Sequence, residues 1–277
     1  MAANLRPLST GELLDKTFTL YRQNFLLFFG IAALPQLVLF VLIAGTGMAF
    51  GVIGTRVNRV PALPAIAIAI GLAYIIGAIV AAAFTQAATT FAVSDLYLEE
   101  PASLKRSFSR ARGRILAVLG VLIIFSLCLG IGFMLLLVPG ILVLMWYSLA
   151  VPASVVEHIG VSDALNRSSR LSKGSGWRIF GVYVLLFIFT IVAKIAIQYI
   201  ITLAVASLKS ISPIVPLAAM GGTYLVSALV APVITIALTL LYYDQPVRRE
   251  GFDLEHMMNA LQGGAGSAGA AAVGSPV

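Results

Sequence analysis

The amino-acid sequence predicts an all-α integral membrane protein with six transmembrane helices arranged as three hairpins, and three observations carry that reading. Of 277 residues, 60% are apolar and 10% charged, with a mean hydropathy of +1.02. A soluble domain has about 45–50% apolar and about 25% charged residues, so a water-facing surface cannot be built from this inventory. Second, five apolar stretches meet or exceed the roughly 20 residues that cross a bilayer core: Phe25 to Ile53, Ala62 to Leu98, Ile115 to Val156, Trp177 to Leu208 and Pro213 to Tyr243. Third, the basic residues are concentrated in alternate connections between these stretches, which is how membrane orientation is encoded.

The third stretch holds 42 residues, too many for one crossing, and Val138-Pro139-Gly140 is a turn signal near its middle. Splitting it there gives spans at about 25–46, 70–94, 115–137, 140–156, 178–203 and 217–243. With the N-terminus inside, fourteen Lys and Arg then fall on the cytoplasmic side and three outside, Arg56, Arg59 and Lys209. A single crossing would leave nine against eight and abolish the bias. The net charge of +7 is therefore read as topology, with no nucleic-acid partner implied. Both termini are expected in the cytosol. No cleavable signal peptide is expected, because the first apolar run starts only at Phe25, after a charged amphipathic segment at 1–23.

Each hairpin is preceded by a cytoplasmic amphipathic segment. In the first, Ser9-Thr10-Gly11-Glu12 forms a capping box that starts a helix, and Leu14, Phe18, Tyr21 and Phe25 fall on one face. In the second, Leu104, Phe108, Ala111 and Ile115 repeat the apolar spacing between Lys105, Arg106, Arg110, Arg112 and Arg114, so this segment is expected to lie along the inner interface. The third, Val161 to Trp177, carries Arg167, Arg170 and Lys173, and its Ala164-Leu165-Asn166-Arg167-Ser168 parallels Ser103-Leu104-Lys105-Arg106-Ser107. These eight basic residues are candidate contacts for anionic headgroups or for a cytoplasmic protein partner. The returning helices finish at Asp95, Glu157 and Asp244, whose carboxylates are candidates for pairing with the basic segments and fixing hairpin against hairpin. The Gly- and Ala-rich tail at 257–277 is expected to be disordered.

Chemistry-bearing constellations are sparse. His158 and His256 are far apart with no cysteine nearby, the single Cys128 sits in an apolar run, and neither a zinc-ligand spacing nor a phosphate-loop motif occurs. The residues imply no cofactor, no metal and no catalytic group. Lys194 is the one charge within a span, and Thr190 and Gln198 lie at i−4 and i+4 beside it. An intramembrane cation marks a substrate or ion path by default, while a long side chain can also snorkel to the headgroups. Pro35, Pro152 and Pro232 fall inside spans and are expected to kink them. Gly47 and Gly51, Ala73, Gly77 and Ala81, and Ser126 and Gly130 offer small faces for close helix approach.

Leu5-Arg6-Pro7-Leu8, Gly11-Glu12-Leu13-Leu14-Asp15, Phe18 and Tyr21-Arg22-Gln23-Asn24-Phe25 resemble the opening of the glycerophosphoryl diester phosphodiesterase membrane-domain family. Ala164-Leu165-Asn166-Arg167-Ser168, Lys173-Gly174, Trp177-Arg178, Leu241-Tyr242-Tyr243-Asp244 and Arg248-Arg249-Glu250-Gly251-Phe252 extend the resemblance over about residues 5 to 257. It implies a multi-helix domain of the bacterial inner membrane. In that family the membrane region can be joined to a phosphodiesterase barrel that uses carboxylates, histidines and a metal. No residue here matches those, so the enzyme activity is not carried over. The sequence thus favours a non-catalytic membrane scaffold that engages lipid headgroups or a partner, with a path for a small or lipidic anion at Lys194 as the alternative. Topology reporters test the frame: a fusion after Gly251 is expected to read cytosolic and one near Val138 non-cytosolic, and the reverse at either site removes the six-span arrangement.

Overall fold

The computed structural model describes residues 8–56, 63–207 and 220–247. Among them every regular element is helical: α1 (Thr10–Gln23), α2 (Phe25–Arg56), α3 (Leu63–Tyr97), α4 (Leu104–Leu135), α5 (Leu137–Tyr147), α6 (Ala150–Val156), α7 (Val161–Ser172), α8 (Gly176–Ser207) and α9 (Met220–Val247). Six helices, counting α5 and α6 as one, are long and apolar enough to cross a membrane. Arg6, Arg59, Lys209, Arg248 and Arg249, together with the 257–277 tail, lie outside the described residues.

The local starts and stops follow from individual side chains. Ser9 caps α1, its Oγ accepting from the Glu12 N–H at 3.2 Å while Glu12 Oε2 accepts from the Ser9 N–H at 2.8 Å, and the two donors so satisfied would otherwise be orphaned. Asn24 separates α1 from α2, its backbone N–H and its side-chain amide both donating to the Leu20 carbonyl. Gly174, at φ +85°, makes the turn between α7 and α8 that a residue with a Cβ adopts only under strain. The second amphipathic segment behaves differently from the expectation that it lies along the interface: 104–114 is the first three turns of α4 and runs into the span without a break. Ser103 caps it, and neither a proline nor a positive-φ glycine interrupts the ladder between Arg112 and Ile115.

The proline-bearing sites also resolve into distinct outcomes. Pro35 and Pro232 sit within continuous helices. Pro152 falls in the first turn of α6, just after a break at Ser148–Leu149, where the missing N–H is tolerated. The chain reversal in the third stretch comes at Leu136, and Pro139 is in the first turn of α5. The reason is contact: a Cβ at Gly132 would stand 2.9 Å from the Cα of Gly140, so the two glycines let α4 and α5 touch backbone to backbone and the tight turn sits immediately beside them. Among the other small residues, Gly77 packs on Leu39 of α2, while Gly47 and Gly130 meet nothing.

The ends of α3, α6 and α9, the starts of α4 and α8, and the helices α1 and α7 gather at one end of the bundle, as their hydrogen bonds require. Two clusters fill the interior. One joins Phe28, Phe91, Val118, Val155 and Ile236; the other joins Leu13, Leu149, Ile179, Ala237 and Leu241. α6 and α9 contribute to both. They are the central pair, with 61% of the apolar window buried in the spans Leu137–Val156 and Met220–Val247 against at most 22% in the other four. The outer helices present Leu, Ile, Val and Phe outward, as a hydrocarbon surround demands. Gly132→Ala is expected to cost about 1–3 kcal/mol, because the clash is with backbone and no rotamer relieves it. Gly130→Ala, with open space around it, should be neutral or stabilising by up to about 1 kcal/mol; reversible unfolding in mixed micelles compares them.

Candidate functional site

Polar side chains occupy two places, a charged end and a cavity within the bundle. At the charged end each of the three returning helices closes on a carboxylate. Asp95 Oδ1 accepts from Arg110 Nη1 at 2.5 Å, and Arg106 Nε stands 3.6 Å from Oδ2. The Arg110 guanidinium also lies 4.3 Å over the Phe91 ring, which sets its approach. Glu157 Oε1 accepts from Arg167 Nε and from the Tyr242 hydroxyl, each at 2.6 Å. Hydrogen bonding to that carboxylate holds the Arg167 guanidinium above its ordinary pKa, outweighing the burial that opposes it, so this pair persists as pH rises through the alkaline range. Asp244 closes the circle: Oδ2 accepts from Arg178 Nη1 at 2.5 Å and Oδ1 from the Leu8 N–H at 2.7 Å, while Arg178 Nη2 donates to the Leu8 carbonyl at 2.6 Å.

Of the eight basic residues proposed for headgroups, Arg106, Arg110 and Arg167 thus face carboxylates of the same chain. Arg114 donates to the carbonyls of Ser154 and Ile159 at 2.8 and 2.5 Å, tying α4 to the end of α6. Arg170 donates to the Asn166 carbonyl along its own helix. Lys105, Arg112 and Lys173 are exposed.

The second place is a cavity of about 310 Å³ at mid-bundle, to which α2, α3, α4, α6, α8 and α9 all contribute. Tyr183, Thr190 and Lys194 line it from one face of α8. Opposite them stand Gln36 of α2, Thr85 and Gln86 of α3, Tyr147 and Ser148 at the α5–α6 break, and Thr235 of α9. The Thr85 and Ser148 hydroxyls, on residues 8% and 6% exposed, have no hydrogen-bond partner. Ser148 reaches the cavity because the helix is interrupted before Pro152. Irregular backbone at this depth is tolerated where protein surrounds it or a cavity adjoins it. The Thr190 hydroxyl donates to the Leu186 carbonyl at 2.5 Å. Lys194 makes no ion pair among the described residues. It also lines a groove between α8 and α9 with Gln198, Tyr199, Thr202, Thr223 and Ser227.

Thr190 and Lys194 therefore share the cavity, and Gln198 stands beyond them in the groove. Gln36, Thr85, Gln86, Ser148, Tyr183 and Thr235 went unnoticed in the sequence. Their signal was present as uncharged polar residues inside apolar spans, above all Gln36 after Pro35 and the Thr85-Gln86 pair. Among the described residues no group of three or more His, Cys, Asp or Glu side chains comes together as a metal site would require.

The fold and these sites define a multi-pass, all-α membrane protein. A family model described as Domain of unknown function (DUF7847) matches residues 124–245, from the second half of α4 to the end of α9. No curated protein and no solved structure matches the chain. The charged end makes a graded prediction. Asp244 and Arg178 are 1% and 17% exposed, Glu157 and Arg167 28% and 38%. Removing Arg178 alone, which strands the Asp244 carboxylate, should cost about 3–5 kcal/mol, whereas a double-mutant cycle on the second pair should give a coupling of about 1 kcal/mol or less, both read as stability in mixed micelles.

Proposed function

We propose that the protein is a non-catalytic, multi-pass component of the bacterial cytoplasmic membrane that binds an anion inside the bilayer, in the cavity lined by Lys194. The observation that carries this is an ammonium group among neutral hydroxyls and amides, with no carboxylate of the described chain beside it. A counter-charge stabilises a cation held at this depth. Every other polar group of the wall that can donate, the Thr85 and Ser148 hydroxyls and the Gln36 and Gln86 amides among them, suits an oxyanion as well. The polar run along α8, from Thr190 through Lys194 and Gln198 to Thr202, extends the site toward the opposite end of the bundle and supports passage of the anion as well as binding.

The excess of basic residues at the charged end supports placing that end in the cytosol, and the resemblance of the amphipathic segments to the phosphodiesterase membrane domains supports a bacterial inner membrane. Contact with anionic headgroups at this end falls to Lys105, Arg112 and Lys173, which are exposed, each contributing about 1 kcal/mol near a charged surface. Inorganic phosphate is the simplest probe of the cavity. It is expected to raise the melting temperature of the protein in neutral detergent, as binding to the folded state alone does. Lys194→Met should weaken this at least tenfold in apparent affinity and Lys194→Arg should retain most of it; an unchanged response in Lys194→Met refutes the reading.

A further inference from the structure

The wall of the bundle between α2 and α9 is open. A groove of about 750 Å³ runs along it, and of the residues that line it only Gln36 and Tyr224 carry polar side chains. Small residues, Gly30, Ala33, Gly221, Gly222 and Ala228, line much of it, and the glycines let Leu104, Phe40 and Ile201 pack close against the helices that bear them. The Tyr224 hydroxyl is engaged with that of Tyr74 at 3.0 Å, which leaves Gln36 as the polar group unspoken for on this wall. Gln36 also lines the polar cavity. Ile201 lines the groove from α8, two turns beyond Lys194 on the same helix face, or about 10 Å along the axis. An apolar trough facing hydrocarbon thus adjoins, through one amide side chain, a polar chamber that holds a cation.

We infer that the ligand is an anionic lipid, its headgroup in the cavity at Lys194 and an acyl chain in the α2–α9 groove; this rests on the anion reading above. The two compartments differ in the sense an amphiphile does. The positive charge of Lys194 selects the sign of the headgroup, and a groove of this volume lies within the roughly 300–1,000 Å³ range of ligand sites. A small hydrophilic anion would use the cavity alone and leave the groove without a role.

The test compares oleoyl lysophosphatidate with inorganic phosphate on the full chain in neutral detergent. In the wild type the lipid is expected to stabilise the protein at concentrations at least 100-fold lower than phosphate. Ala33→Phe and Gly221→Leu, which fill the groove away from the cavity, should remove most of that advantage and leave the phosphate response unchanged. A diazirine placed on the acyl chain of the same lipid should label 29–40 of α2 and 221–228 of α9 in the unmodified protein, a readout independent of how the variants fold. Equal potency of lipid and phosphate, or labelling confined to other helices, overturns the inference while the anion site stands. Loss of neither response in Lys194→Met removes the anion reading itself. Lipid binding that survives Lys194→Met but not the groove substitutions would separate the two compartments and so overturn the shared-ligand inference.

Discussion

Lipid tails are as apolar as the helix faces they touch, so no hydrophobic force drives one spanning helix onto another, and in this protein the carboxylates at the ends of the returning helices supply fixed points instead. Asp95 ties α3 to the start of α4, Glu157 ties the end of α6 to α7 and, through Tyr242, to α9, and Asp244 ties α9 to α8 and to the backbone of Leu8. The first two carboxylates thereby join each hairpin to the next at the same end, while Asp244 closes the last hairpin and returns to the segment that precedes the first. Placing these pairs where water meets the bundle keeps the charges away from hydrocarbon. Their partial burial still raises the worth of each attraction above that of an exposed pair.

The exterior, unlike that of a soluble protein, is as apolar as the core, and the core admits polar side chains at chosen places. The outer faces are aliphatic, while threonines, serines, glutamines and Lys194 turn inward. Buried hydroxyls can be satisfied by their own helix backbone, as Thr17, Thr190 and Thr239 are by the carbonyls four residues earlier. Thr85, Thr89, Thr90, Ser107 and Ser148 are not, and of these Thr85 and Ser148 face the same space as Lys194. What distinguishes Thr85 and Ser148 from the other unpartnered hydroxyls is their place beside Lys194, and the proposed anion site draws its neutral donors from there.

The fold class, the number of crossings and the capping box at Ser9 were legible because each depends on composition or on residues a few positions apart. The carboxylate ends could be singled out by position, but their partners could not: Asp244 meets Leu8 across nearly the whole chain, and no periodicity encodes that. The turn in the third stretch was displaced by two residues because the closeness of Gly132 to Gly140 is a property of two facing helices. Lys194 stood out as a charge in a span. Its neighbours across the cavity, each an ordinary threonine, serine or glutamine, acquire meaning only when five other helices bring them to α8.

The ion pairs of the charged end bear on how a ligand of the proposed kind could reach the cavity. At the charged end, separating hairpins breaks partly buried ion pairs worth about 3–5 kcal/mol when one partner is stranded. Among the described residues of the other end, the Tyr74–Tyr224 hydroxyl pair and the contact of Phe40 with the Tyr224 ring join helices, and one neutral hydrogen bond contributes only about 1 kcal/mol. Lys194 lies in this half, roughly 27 Å along α8 from Gly176 at a rise of about 1.5 Å per residue. Small residues at Gly221, Gly222 and Ala228 further thin the wall between α2 and α9 there. Opening by that route strands no carboxylate, whereas access through the charged end would have to dismantle Asp244, Arg178 and Leu8 together. On the anion reading, the clamp that holds the hairpins therefore favours exchange through the side of the bundle over exchange through its charged end.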